Sequence, residues 1–108
     1  MRRTTTTSRT AQVLTDHQLA DLRERLEEQR QFRVAQLDEL RSTDPDQSSE
    51  VTDVLAAGAR VALHDVLAAL HRMDVGDYGR CVRCGDPIPL ARLEVIPAVA
   101  ECLPCRAN

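Results

Sequence analysis

Residues 81–85 read Cys-Val-Arg-Cys-Gly and residues 102–105 read Cys-Leu-Pro-Cys. These two stretches hold all four cysteines of the 108-residue chain, in two Cys-x-x-Cys pairs separated by 17 residues. A turn of that spacing directs both sulfurs at one ion, and two such turns complete a tetrahedron around zinc. Three other uses of the cysteines fit less well. A thioredoxin-like redox pair needs one Cys-x-x-Cys in a strand–helix unit, and the sequence offers no such unit. Disulfides belong to oxidising compartments. Catalytic zinc keeps a coordination position open, whereas four thiolates close the shell. Cys81, Cys84, Cys102 and Cys105 are therefore expected to hold one structural Zn2+ ion. Gly85 suits the turn around it, and Arg83 is expected to be solvated. Between the pairs, Pro-Leu-Ala-Arg-Leu-Glu-Val (89–95) predicts one short helix, with Ile88, Leu90, Leu93, Val95, Ile96 and Val99 as the segment's apolar supply.

Upstream of the cysteines the pattern is helical. Thr15 and Gln18 form a capping-box signature, and no Gly or Pro follows until the segment Ser42–Asp46. Leu19, Leu22 and Leu26 recur at helical spacing and Leu37 and Leu40 resume the stripe, with Gln29, Arg30 and Arg33 interrupting it. This predicts an amphipathic helix of roughly 26 residues, about 40 Å long. Pro45 ends it, and Asp44-Pro45-x-Gln47 is itself a helix-start pattern. A second stripe then runs through Val51, Leu55, Gly58, Ala62, Val66, Leu70 and Met73, with Gly58 and Ala62 allowing close approach and Gly76 as the stop. Two long helices joined by a tight turn lie antiparallel. Leu67 and Leu70 are expected to cover the apolar side of the cysteine-bearing segment. The expected fold is all-α: a two-helix coiled-coil hairpin over 14–75 and a four-cysteine zinc finger over 76–108. Residues 1–13, rich in Thr and Arg, are expected to be a disordered tail.

The totals exclude several classes of function. Phe32 and Tyr78 are the only aromatic residues, which argues against a thick core. The formal net charge is -3 and all 14 basic residues are Arg, a balance unsuited to coating nucleic acid. No apolar run reaches the length of a membrane span, and no signal peptide is present. A cytoplasmic, monomeric protein is expected. His17, His64 and His71 have no metal-ligand spacing, and no phosphate loop or nucleophile–base pair suggests an enzyme.

The stretch 76–105 closely resembles the zinc finger of the DksA/TraR family, through Gly76, Tyr78, Gly79, Cys81, Cys84, Gly85, Ile88, Arg92, Leu93, Pro97, Cys102 and Cys105. The helical hairpin resembles that family's coiled coil in architecture. The resemblance implies a regulator of transcription that binds RNA polymerase directly and inserts its hairpin tip into the secondary channel, in some members together with ppGpp. Asp44, Asp46 and Glu50 are the tip acids here; Asp44 is equally suited to capping the second helix, and Asp46 and Glu50 to offsetting its dipole. The tip departs from the longer family members. Asp44 and Asp46 are separated by one residue rather than two, Gln47 stands in place of the second aspartate, and Ser49 in place of an alanine. The chain also stops three residues after Cys105, where those members continue into a helix. Two alternatives remain at this level: a DNA-binding module, opposed by Asp86, Glu94 and Glu101 among the finger's arginines, and a zinc-stapled adaptor for another protein. No direct reading of DNA sequence and no membrane attachment are expected.

Overall fold

The computed structural model describes residues 13–42 and 49–107. The order is α1 (Asp16–Arg41), α2 (Glu50–Asp74), α3 (Leu90–Val95) and α4 (Leu103–Ala107), with no strand among the described residues. α1 starts where its capping box places it. Thr15 Oγ1 accepts from the Gln18 backbone N–H at 3.0 Å, and Gln18 Oε1 accepts from the Thr15 N–H at 2.9 Å, so two otherwise unpaired donors of the first turn are satisfied. α2 starts later than the Asp44-Pro45 pattern suggests. Its N-cap is Ser49, whose hydroxyl accepts from the Thr52 N–H at 3.3 Å. Asp44, Pro45, Asp46 and Gln47 lie outside the described residues. The short helix read from 89–95 is α3. α4, which begins inside the second cysteine pair, was not expected.

α1 and α2 pack along each other as an antiparallel pair. The contact face of α2 differs from the stripe read in its sequence. Thr52, Ala56, Ala59, Leu63, Val66, Leu70 and Met73 are each buried or half-buried, and they alternate spacings of four and three, a heptad seam. Val66, Leu70 and Met73 were read correctly. Val51, Leu55 and Gly58 were not: Val51 is 67% and Leu55 49% exposed, and a Cβ built on Gly58 meets nothing within 4 Å. Ala59, at 2% exposure, makes the close approach assigned to Gly58. The distal half of α2 is apolar nearly all round, so periodicity alone allows two answers one residue apart. The partner helix decides between them. Gln29, Arg33 and Gln36, all half-buried, follow Leu22 and Leu26 at seam spacing on α1, and the small Ala56 and Ala59 leave room for such long side chains. Arg33 Nη1 donates to Gln36 Oε1 at 2.9 Å, so these two polar side chains pair with each other. The same apolar character corrects the membrane reading, since 18 consecutive residues of α2 average a hydropathy of 1.3 and the helix is long enough to span a bilayer.

The buried residues concentrate at the other end of the pair. Leu26 packs with Val66, Ala69 and Leu70; Leu22 joins Cys81, Ile88, Leu93, Val99 and Cys102. Met73 and Tyr78 touch both groups, so hairpin and finger share one continuous base. Leu70 meets the expectation that it covers the finger, with Ala98 and Tyr78 against its cluster. Leu67 (47% exposed) does not, and Val95 (76%) and Ile96 (46%), expected among the finger's own apolar supply, are exposed. A three-four spacing on α2 turns Leu67 away from the face that carries Val66 and Leu70, and α3 buries only Leu93. α2 ends as read. Gly76 adopts φ +78°, and the Asp77 N–H returns to the Arg72 carbonyl at 2.8 Å, a left-handed helix stop that suits glycine.

A candidate zinc centre

The first cysteine turn is a tight loop. Cys81 N–H donates to the Asp86 carbonyl (2.8 Å), Gly85 N–H to the Cys81 carbonyl (2.9 Å), and Ile88 N–H to the Gly79 carbonyl (2.8 Å). Gly85 takes φ +81° directly after Cys84, the conformation that lets the chain wrap back on its own sulfurs. The second turn is the start of α4, where Arg106 N–H donates to the Cys102 carbonyl at 3.0 Å. Val82 N–H bonds the Ala100 carbonyl at 2.8 Å and ties the two turns together.

The four sulfurs of Cys81, Cys84, Cys102 and Cys105 all lie within 4.8 Å of one another, as the spacing led one to expect. The Sγ atoms of Cys84 and Cys102 are 3.7 Å apart. A tetrahedron with Zn–S bonds of about 2.3 Å has edges of about 3.8 Å, so the donor set fits this ion in both identity and spacing. The electrostatics point the same way. Burial pushes the Cys81 thiol up, but the backbone N–H groups of Cys102, Cys84 and Arg83 and the Cys105 thiol more than offset it, leaving Cys81 at about 6. Hydrogen bonding to Cys102, then to Cys81 and Cys84, together with burial, raises Cys105 to about 12. Four touching thiols cannot all ionise on their own; a dication at their centre removes that conflict. The Arg83 N–H lies 3.4 Å from Cys81 Sγ, the backbone support that thiolate ligands receive in such centres.

The surrounding residues hold the centre on the hairpin. Tyr78 Oη donates to the Pro97 carbonyl at 2.8 Å, and Arg72 Nη2 to the Val99 carbonyl at 3.3 Å. Both reach the strip of chain that leads into Cys102. Sequence reasoning gave Tyr78 no role beyond its place in the family pattern. Its signal is its type: a phenol in an aromatic-poor chain finds a polar partner when buried. Arg83 is exposed, as expected, and its Nη1 also donates to the Cys105 carbonyl at 3.0 Å and lies 3.8 Å from Glu101. The His17 side chain lies 3.6 Å from Asp21. Glu50 sits in the first turn of α2, far along the chain from the cysteines. Asp44 and Asp46 lie outside the described residues.

Burial raises the Tyr78 hydroxyl to about 12, with the nearby charges of Arg72 and Arg25 opposing that rise. A phenol whose folded pKa is raised stabilises the fold fully below its unfolded pKa and loses that stabilisation as pH climbs to the folded value. Stability should therefore fall between about pH 10 and 12 in the wild type. Tyr78→Phe should cost about 1 kcal/mol at neutral pH and show a shallower fall over that window. Urea unfolding at neutral and alkaline pH, compared between the two proteins, checks this; parallel curves would remove Tyr78 from the linkage.

A match to known families decides what this finger is. Residues 76–107 match the model for the prokaryotic dksA/traR C4-type zinc finger. Residues 76–107 are a zinc finger of the DksA/TraR type. The finger is a C4-type centre and binds structural zinc. Among solved structures, the chain resembles one described as transcription factor DksA2 from Pseudomonas aeruginosa, with a TM-score of 0.73, 29% identity, and coverage of 90% of this chain and 86% of that one. An RNA polymerase binding protein and transcriptional regulator, Dks, from Chlamydia trachomatis L2 matches at TM-score 0.58 and 25% identity, over 88% and 89% of the two chains. A DnaK suppressor protein from Agrobacterium tumefaciens C58 shares the fold at TM-score 0.65 and 24% identity, over 82% and 90%. In sequence, the chain is 36% identical over 58 residues to an uncharacterized protein of Aquifex aeolicus and 51% identical over 35 residues to YlyA of Bacillus subtilis. These stretches cover 54% and 32% of this chain, and 40% and 28% of those two relatives.

Proposed function

We propose that the protein regulates transcription by binding RNA polymerase, without catalysing a reaction, and that the hairpin tip enters the polymerase's secondary channel. The observation that carries the reading is the match over 86% of a transcription factor's chain, hairpin and finger together. In this reading Cys81, Cys84, Cys102 and Cys105 are the zinc ligands, residues 76–108 are the base, and residues 14–75 are the reaching part. The two elements suit those roles. The finger and the proximal hairpin share their buried residues, so they act as one rigid handle. α1 adds a rod of about 39 Å at ~1.5 Å per residue, long enough to carry Asp44, Asp46 and Glu50 away from that handle. Carboxylates presented at a rod's end engage metal ions or basic side chains in a recessed site.

The test is co-purification with RNA polymerase, competed by another secondary-channel factor, followed by transcription assays with Asp44→Asn/Asp46→Asn. The variant should keep its zinc and its helix content. Its effect on transcription should weaken by about tenfold or more, the size expected for losing ~1.4 kcal/mol of charged contact. Unchanged regulation by the variant would take the tip out of the mechanism, and absence of competition would take the channel out of it.

A further inference from the structure

α2 carries two heptad seams, one residue apart. The first, from Thr52 to Met73, packs on α1. The second runs through Val51, Leu55, Gly58, Ala62 and Ala69 with the same spacings of four and three, and Asp65 fills its one polar position. A helix with a single neighbour needs one narrow seam; a second apolar seam beside the first belongs to a helix inside a bundle. At the base the second seam is in use: Ala69 is fully buried, and Ala98 of the finger packs on its cluster. From Ala62 towards the tip it is open. Val51 and Leu55 are exposed, and Val54 and Val61 stand exposed on its outer flank. A Cβ built on Gly58 meets nothing within 4 Å. The only charges between residues 51 and 62 are Asp53 and Arg60, which lie on the opposite side of the helix at ~100° per residue. One apolar stretch of 18 residues in α2 is only 22% buried, so the hairpin alone leaves most of it uncovered.

We propose that the second seam is the contact between two copies of this chain, which pair antiparallel along α2 to form a four-helix bundle in place of the expected monomer. The register follows from side-chain size. A two-fold axis midway between Leu55 and Gly58 sets Leu55 over the partner's Gly58 and Val51 over the partner's Ala62. Each contact joins a large side chain to a small one and occurs twice, as a two-fold interface requires. The open space over Gly58 is where the partner's Leu55 enters. Charge agrees with self-pairing. The open part of the seam is uncharged, and the cleft beside it, around Ala62 and the exposed Phe32, holds Arg25 and Arg33 together with Glu28 and Asp65. A rim of both signs is complementary to its own copy, whereas a partner of one sign would meet repulsion as well as attraction. In size, the seam with its flanking valines and Phe32 stands at the small end of specific interfaces, which bury about 800 Å² a side. The dimer should therefore be reversible, with micromolar strength. The pairing does not depend on polymerase being a partner. It covers α2 next to the tip, so a paired chain cannot offer that surface to anything else.

Sedimentation equilibrium of the full zinc-loaded chain, from low micromolar to near-millimolar concentration, is the test. The mass should rise with concentration from 12.0 kDa towards twice that value. Val51→Ser/Leu55→Ser removes both large side chains from the seam. Both are exposed in the single chain, so circular dichroism and zinc content should match wild type while dimerisation weakens by roughly tenfold or more. Gly58→Leu fills the hollow from the other side. Its new side chain has room in the single chain, and leucine favours a helix over glycine. At dilute concentration this variant should melt above wild type, yet it should fail to dimerise; a merely structural glycine would not separate the two readouts. A wild-type mass of 12.0 kDa at every concentration overturns the pairing. A dimer that both variants retain places the contact elsewhere and overturns it too. Neither result bears on polymerase binding, which co-purification tests separately.

Discussion

Cys81→Ser is expected to abolish stoichiometric zinc binding and unfold residues 76–107 as a unit. Cys81 is 3% exposed and stands in the same buried group as Leu22, Ile88, Leu93, Val99 and Cys102. A serine hydroxyl does not ionise at neutral pH, so three thiolates would face the ion with a poor fourth donor. A structural zinc site contributes on the order of 10 kcal/mol at neutral pH, comparable with the entire stability of a small domain, about 5–15 kcal/mol. The finger has little to substitute. Its fully enclosed apolar side chains are Ile88, Leu93 and Pro97, and its helices span 6 and 5 residues, too short to persist alone. The damage should spread into the hairpin's base, because Leu22 would lose its cover and the bonds from Tyr78 and Arg72 to the 97–99 carbonyls would have no fixed target. Native mass spectrometry should find the variant without the ion, and amide exchange should show protection lost across the finger and reduced at the ends of α1 and α2 nearest it. Chelation of the wild type should reproduce that pattern. A variant that keeps wild-type protection over 76–107 would show that packing, not metal, organises the segment.

The parts of the fold that were legible in sequence are those fixed by local chemistry. The capping box at Thr15, the glycine stop at Gly76 and the paired Cys-x-x-Cys turns each specify a geometry through the residues within a few positions, and the structure has all three. The face of α2 was legible only where bulky residues make one answer much better than its neighbour. Val66, Leu70 and Met73 meet a dry partner surface and were read correctly. Val51 and Leu55 were not, because their burial depends on what α1 places opposite, and Gln29, Arg33 and Gln36 offer no apolar surface. The latches made by Tyr78 and Arg72 end on backbone carbonyls at positions 97 and 99. A carbonyl has no sequence signature, so no reading of residue types could have found them. The same holds for the contact between Arg83 and the Cys105 carbonyl.

Leu26→Ala is expected to cost 2–5 kcal/mol, the range for emptying a closed apolar site that its neighbours cannot fill, whereas Leu37→Ala should cost about 1 kcal/mol or less. The two leucines lie 11 residues apart on one helix and differ in what surrounds them. Leu26 is fully enclosed by Val66, Ala69 and Leu70, with Met73, Tyr78 and Ala98 behind them. These neighbours are held from two directions, by α2 and by the zinc-bound finger, so the wall cannot move in to close the space. Leu37 is only half-buried and sits on the rod beyond the finger, where water replaces much of the lost contact. Urea unfolding of the zinc-loaded proteins should show a large drop in midpoint for Leu26→Ala at unchanged slope, and a small one for Leu37→Ala. Equal losses would mean that the rod is stabilised evenly along its length. The unequal result places most of the folding free energy at the base. The distal hairpin, with a polar stretch in its seam and valines on its outside, is then the part of lowest local stability. That distribution suits a handle that stays rigid while the reaching half adjusts to the surface it meets.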